Sequence, residues 1–229
     1  MKTRAAAMVM LLCAPLVMHP ARANLDAISS SDATAGLRAA LEKGAAVAVS
    51  TLGKTDGFFG NSKVKIPLPD SLARYESMMR RVGMGKYADE LILTMNRAAE
   101  AAVPEAKKLL VDAVKNMSVS DAKRVLTGGN TAGTDYFKRT TSEPLRQRFL
   151  PIVQRATKKV KLAQVYEKYA AQGVQYGLIS KENADLDAYV TQEALDGLFY
   201  MIAEEEKKIR KDPVGAGSSI IKKVFGAMR

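Results

Sequence analysis

The sequence holds no tryptophan, one cysteine and one histidine among 229 residues. Both single residues, Cys13 and His19, lie near the start, inside a stretch that reads as a secretory leader. Lys2 and Arg4 form a basic head, Ala5 to Leu12 and Ala14 to Met18 an apolar stretch broken at Pro15, and Ala21-Arg22-Ala23 a small-residue cleavage signal. The run is shorter than the roughly 20 residues a spanning helix needs, and no second apolar run follows. A lipoprotein signal would need a small residue before Cys13, where Leu12 stands. We therefore expect residues 1–23 to be removed after Ala23, leaving a periplasmic chain 24–229 with no transmembrane segment.

Such a chain would have neither thiol nor imidazole. That excludes disulfides, cysteine nucleophiles, Ser-His-Asp triads and zinc sites built on His or Cys. Any catalysis would fall to carboxylates, Tyr, Lys or an oxygen-ligated metal. We expect no catalytic residue, no cofactor and no metal site.

Strand signals are scarce as well. Val64-Lys65-Ile66 is the one short extended candidate, and Pro67 and Pro69 stop it. What remains is helical spacing, and it predicts a single all-α domain of roughly eight to ten helices with no substantial sheet. Asp32 is expected to cap a helix ending at Gly53, and Asp70 a helix with Leu72, Tyr75, Met79 and Val82 on one face. A third helix, Lys86 to Ala102, carries Tyr87, Leu91, Met95 and Ala99. Pro104 suits the first turn of the next, and Ser118 with Asp121 has capping-box spacing. Ser142 is expected to open a helix kinked by Pro151, Gly173 and Gly177 to break the following segment, and Thr191 to open the longest late helix. Ser218 or Ser219 starts the last.

Several stretches together carry a resemblance. They are Gly53-Lys-Thr-Asp-Gly-Phe58, Ile66-Pro-Leu-Pro69, Gly83-Met-Gly-Lys-Tyr87, Met95-Asn-Arg-Ala-Ala-Glu100, Gly128-Gly-Asn-Thr131 and Thr134-Asp-Tyr-Phe-Lys-Arg-Thr-Thr141. Phe149-Leu-Pro-Ile-Val153, Leu195-Asp-Gly-Leu-Phe199 and Glu204-Glu-Glu-Lys207 complete the set. The chain resembles the bacterial domain-of-unknown-function family number 4197, exported proteins found mainly in Gram-negative species. The resemblance implies a helical periplasmic protein and no particular activity.

Two motifs are decoys. Ala48 to Thr55 matches a loose phosphate-loop pattern, but a helix precedes it, Ala48 replaces the first glycine and a loop follows. Asn183, Asp185 and Asp187 alternate like calcium ligands, yet Ala188 stands at the turn glycine and Ala194 at the bidentate acid, so helix capping is the plainer role. Glu204, Glu205 and Glu206 point about 100° apart on a helix and form no facing pair; Glu204 with Lys208 and Glu206 with Arg210 are spaced for i,i+4 pairs.

Two polar clusters are more informative. Residues 128–141 combine glycines and threonines with Asp135, Tyr136 and Arg139, which fits either a capped turn begun by Thr134 or Asp135 or a ligand loop. Asn96, Arg97 and Glu100 form the second cluster, readable as surface polarity or as an arginine–carboxylate brace. If Asn96, Arg97, Glu100, Thr134, Asp135 and Tyr136 faced one cleft, a carboxylate-based hydrolase of an envelope substrate would be conceivable; a carrier of a small apolar ligand would instead need a closed apolar cavity.

Charge is uneven. The whole chain carries +11. Without Lys2, Arg4 and Arg22 it keeps 32 basic residues against 24 acidic, a charge of +8. Residues 138–161 alone hold eight basic residues and a single acid, Glu143, a charge of +7. Arg139, Arg146, Arg148, Arg155, Lys158 and Lys159 in this segment are the expected contacts for an anionic partner: envelope lipid, cell-wall polymer or an acidic protein. Nucleic acid is not expected, since export would separate it from the protein and exposed stacking aromatics are not evident. The favoured reading is a non-catalytic binding or scaffolding role at the envelope.

Overall fold

The computed structural model describes residues 29–176 and 184–227, apart from the side chains of 171–173. The leader segment with Cys13 and His19, and Asn183 and Gly177, lie outside the described residues. Helices account for almost all regular structure: α1 Ser30–Leu52, α2 Asp70–Arg81, α3 Gly85–Ala102, a 3-10 turn at Val103–Glu105, α4 Ala106–Lys115, α5 Val119–Thr127, α6 Ala132–Thr157, α7 Lys161–Gln175, α8 Leu186–Lys211 and α9 Ser219–Gly226. No strand occurs among the described residues.

The two longest helices, α6 and α8, pack on each other and form the centre. On one side α1 lies along α8 and is covered by α9 and α4; on another, α3 packs on α6. The core between them is aliphatic with three fully buried phenylalanines, Phe58, Phe137 and Phe149.

Local chemistry shifts several helix starts. Ser29, not Asp32, caps α1: its hydroxyl accepts the Asp32 N–H at 3.0 Å, and Asp32 supplies first-turn charge instead. Pro69 precedes α2 with no side-chain cap, so Asp70 is the first helical residue rather than the cap. Asp185 caps α8 through Ala188 N–H at 2.8 Å, six residues before the expected opening residue, Thr191, which is buried within the helix. Gly173 does not break α7, which runs on to Gln175. The Ser118 box forms as expected, with its hydroxyl accepting from Asp121 N–H at 3.0 Å.

The largest departure is α6. It runs unbroken through Ser142, Pro144 and Pro151. Phe137, Thr141, Leu145, Phe149, Val153 and Thr157 repeat every four residues, and all are buried, so one core-facing row spans the whole element. The hydroxyls of Thr140, Thr141 and Ser142 donate back to the carbonyls of Tyr136, Phe137 and Lys138, which ties Ser142 into the preceding turn instead of freeing it as a cap. Both prolines sit on the exposed side, where water can take the carbonyls they leave unpaired.

The connection between α1 and α2 is long and irregular, and several of its side chains enter the core while Lys54, Thr55, Lys63 and Lys65 stay exposed. Phe58, Val64, Ile66 and Leu68 are all buried. Gly197 of α8 makes room: a Cβ there would stand 2.6 Å from the Phe58 ring. In contrast, the expected row of α2 turns in only in part: Met79 packs against the core with Leu72. Leu72 is buried, but Tyr75 is 57 % and Val82 64 % exposed, because only α3 covers this helix appreciably.

Candidate functional site

The first cluster, Asn96-Arg97-Glu100, holds the core loop. The Asn96 side chain accepts Ile66 N–H and donates to Ile66 C=O, both at 2.9 Å, and donates again to Ile92 C=O at 2.8 Å. It pairs with Ile66 as a neighbouring strand would, which satisfies a buried extended residue that has no sheet. One turn on, Glu100 Oε1 accepts the N–H groups of Phe58 and Phe59 at 3.0 and 3.1 Å. Its other oxygen meets Arg97 at 2.6 Å, and Arg97 reaches Asp56 at 2.7 Å. Asp56 adopts φ 64°, a left-handed turn that Asp tolerates. Asn96 and Glu100 thus share a helix face, as their spacing predicts, and Arg97 braces a helix against a loop rather than against another helix.

The second cluster lies at the start of α6, which begins at Ala132, so Thr134 and Asp135 fall in its first turn. Thr131 provides no side-chain cap. The cap comes from α8: Glu206 accepts Gly133 N–H at 2.9 Å, Thr134 N–H at 2.8 Å and the Thr134 hydroxyl at 2.9 Å. Arg210 donates to the same carboxylate through Nε at 3.0 Å and Nη2 at 2.9 Å, and also to Val125 C=O at 2.9 Å. A buried carboxylate at a helix N-terminus meets both free N–H groups and the positive end of the dipole. Gly133 permits the approach, since a Cβ would stand 2.3 Å from Leu41 Cδ2 and 3.1 Å from Glu206 Oε1. Nothing in the sequence flagged this role for Glu206; only its i,i+4 pair with Arg210 was visible. Glu204 and Glu205 pair with Lys207 and Lys208 at i,i+3, so the expected Glu204–Lys208 pair is replaced by closer partners.

The structure does not bring the two clusters to a common set of partners. Asn96, Arg97 and Glu100 hold residues 56–66, Thr134 is fixed to α8, Asp135 is exposed, and the Tyr136 hydroxyl donates to Ala113 C=O at 2.7 Å. Burial pushes the Tyr136 phenol up from its ordinary value, which keeps it a donor.

Tyr136 borders an open groove of about 440 Å³ between α4, α5 and α6, with Asp112, Asp121, Arg139 and Thr140. Of its polar side chains only Asn116 is without a partner among the described residues. Asp112 meets Lys108, Asp121 accepts from Ser118 and lies 3.4 Å from Arg139, and Thr140 donates to Tyr136 C=O. The hydrogen bond from Ser118, with Arg124 and Arg139 nearby, holds the Asp121 carboxyl below its ordinary value. A carboxylate so held is a poor general base. The enclosed apolar cavity lined by Leu37, Leu41, Ile202 and Phe225 measures about 10 Å³, room for about one water and far below any apolar ligand. Among the described residues no group of three or more His, Cys, Asp or Glu side chains could hold a metal ion.

The six expected anion contacts divide. Arg139 is paired with Asp121 and lies 5.6 Å from the Tyr136 ring; Arg146 donates to Gln192 and lies 3.7 Å from Glu143. Lys158 is exposed but its charge acts on Glu167 and Asp187. Arg148, Arg155 and Lys159 are exposed and make no ion pair among the described residues. Their spacing, seven and then four, keeps them on one side of α6 and its end.

Fold and clusters together define an all-helical domain whose buried polar groups serve as clamps, with Arg148, Arg155 and Lys159 left unengaged on the outer side of α6 and its end. The chain belongs to the family described as protein of unknown function (DUF4197), whose model matches residues 27–226. No curated protein and no solved structure matches it.

Proposed function

We propose that this is an exported, periplasmic binding or scaffolding protein that contacts an anionic envelope component through the outer face of α6. The observation that carries the reading is the stripe of Arg148, Arg155 and Lys159, exposed and without carboxylate partners among the described residues, in the segment that holds most of the chain's excess charge. Arg80, Arg97 and Arg210 are by contrast held by acids, whereas Arg74 and Arg81 of α2 meet none among the described residues. Exposed, unneutralised cations attract a polyanion and lose it as salt screens them. The basic head, apolar stretch and Ala21-Arg22-Ala23 support export, and the family match starts just inside the expected first residue, Asn24. Among the described residues no helix is long and apolar enough to cross a membrane.

Two measurements test the proposal. N-terminal sequencing of protein from a periplasmic extract should start at Asn24; an intact Met1 there, or protein confined to the cytoplasm, removes the export half. Co-sedimentation with cell-wall sacculi and with anionic vesicles at low and high salt should show binding that salt weakens. Arg148→Gln/Arg155→Gln/Lys159→Gln should abolish it. Binding unchanged in that variant overturns the role of α6.

A further inference from the structure

We propose that the edge formed by α2 and α7 is an apolar docking surface for an anionic lipid bilayer, which names the partner of the envelope-binding reading and takes from it the partner's negative charge. Seven of the eleven most exposed large apolar side chains among the described residues lie here: Tyr75, Met78, Val82 and Met84 on or just after α2, and Val165, Tyr169 and Tyr176 on or just after α7. Their exposures run from 45 % to 75 %. Spacings of three and four place Tyr75, Met78 and Val82 along one side of α2; spacings of four and seven do the same for Val165, Tyr169 and Tyr176.

The two rows start from a common junction. Ser71 and Tyr166 share a hydrogen bond of 2.7 Å between the helices. Ser71 lies four and seven residues before Tyr75 and Met78, in the same row, and Tyr166 lies three before Tyr169. Scattered single apolar residues on a surface carry no message, but two rows flanking one junction do.

Charge selects the occupant. Arg74, Arg81, Lys161 and Lys168 on the same two helices and Lys86 in the first turn of α3 are exposed, and none makes an ion pair among the described residues. Of the nearby acids, Glu76 and Asp89 are both taken by Arg80 at 2.7 Å. Asp70, Glu90 and Glu167 are left against the five cations. A second copy docking face to face would set this excess of cations against the same excess on its partner. A cell-wall polymer has no apolar phase to receive Met78 and Val82. A bilayer interface takes all three parts: aliphatic groups among the acyl chains, tyrosine rings at the headgroups, and cations against lipid phosphates. The α6 stripe adjoins in sequence, since Lys159 is followed at once by Val160 and by Lys161, the first residue of α7.

The missing tryptophan makes the test clean. Tyr169→Trp introduces a sole tryptophan into the full chain. With vesicles of phosphatidylglycerol and phosphatidylethanolamine its emission should shift to the blue and be quenched by brominated acyl chains. Tyr75→Ser/Met78→Ser/Val82→Ser should bind such vesicles at least tenfold more weakly while melting as the parent does, because these side chains are exposed. Vesicle binding with an unmoved tryptophan, or a serine variant as tight as the parent, overturns the inference and leaves the α6 reading standing. So does salt-sensitive binding to sacculi with none to vesicles. Equal binding to pure phosphatidylcholine supports the apolar edge and removes the anionic partner. A tryptophan shift that follows protein concentration without lipid, with a dimer in sedimentation, assigns the edge to a second copy and overturns the bilayer.

Discussion

Glu100 and Glu206 do the same job in two parts of the molecule. Each is a buried glutamate on a helix, each accepts two consecutive backbone N–H groups, and each pairs with an arginine on its own helix. They differ in what surrounds the arginine. The Arg97 side chain is 37 % exposed and has Asp56 as a second acid; that of Arg210 is 11 % exposed and has no second acid among the described residues, only the Val125 carbonyl and the Phe225 ring at 5.5 Å. They differ also in what they hold, a loop turn in one case and the first turn of the central helix in the other. A shared hydrogen-bond pattern therefore does not imply a shared energetic weight: the weight rests on whether the remaining charge can reach water.

Glu206→Gln should have the largest effect. It leaves Arg210 buried without a counter-charge and turns an amide N–H donor toward other donors, at a cost of about 3–5 kcal/mol. Urea denaturation would show it; a loss below that of Glu100→Gln reverses the ranking. Gly133→Ala should follow at about 2–3 kcal/mol, since the new methyl meets Leu41 and pushes the Glu206 cap away. Glu100→Gln should cost about 1–2 kcal/mol, because Arg97 keeps Asp56 and water. Its signature is local: protease cleavage within residues 54–65 should rise well before global unfolding.

The smallest effect concerns Asp187, a buried acid with no arginine. Burial raises its carboxyl above the ordinary 3.8, against the opposing hydrogen bond from Thr157 at 2.6 Å. Burial likewise raises Glu193 and Glu167 above 4.5. An acid raised on folding stabilises below its unfolded value, and that stability is lost as pH rises through the folded value. Stability should thus fall from these groups as pH climbs above about 4, and Asp187→Asn should flatten the slope. A slope unchanged in that variant assigns the effect to the other two acids.

The all-helical class was legible because apolar spacing is a local property. So were the Ser118 cap and the α9 start. The Asn96–Glu100 spacing pointed to a shared face, though not to Ile66, thirty residues away, as its partner. Ser142 misled because a hydroxyl before a proline reads as a cap from local rules, while the row from Phe137 to Thr157 that keeps α6 whole is fixed by what α6 packs against. Glu206 was opaque for a related reason: its N–H partners lie 72 and 73 residues earlier, and no local pattern links them. The α2 row looked like core because periodicity reports an apolar face without saying what covers it.

That separation between Glu206 and Gly133 has a bearing on the order of assembly. The central helix is synthesised long before its acceptor, so a ribosome-bound chain holding α1 to α7 carries α6 with two N–H groups and a threonine hydroxyl open. Closure waits for α8, and the ends meet last of all, when Lys223 reaches Asp32 across 191 residues. Contacts between residues so far apart in sequence form late, because their loop-closure entropy must be met first. A chain truncated before Glu206 should remain loosely packed, and the finished fold is fastened by its last two helices.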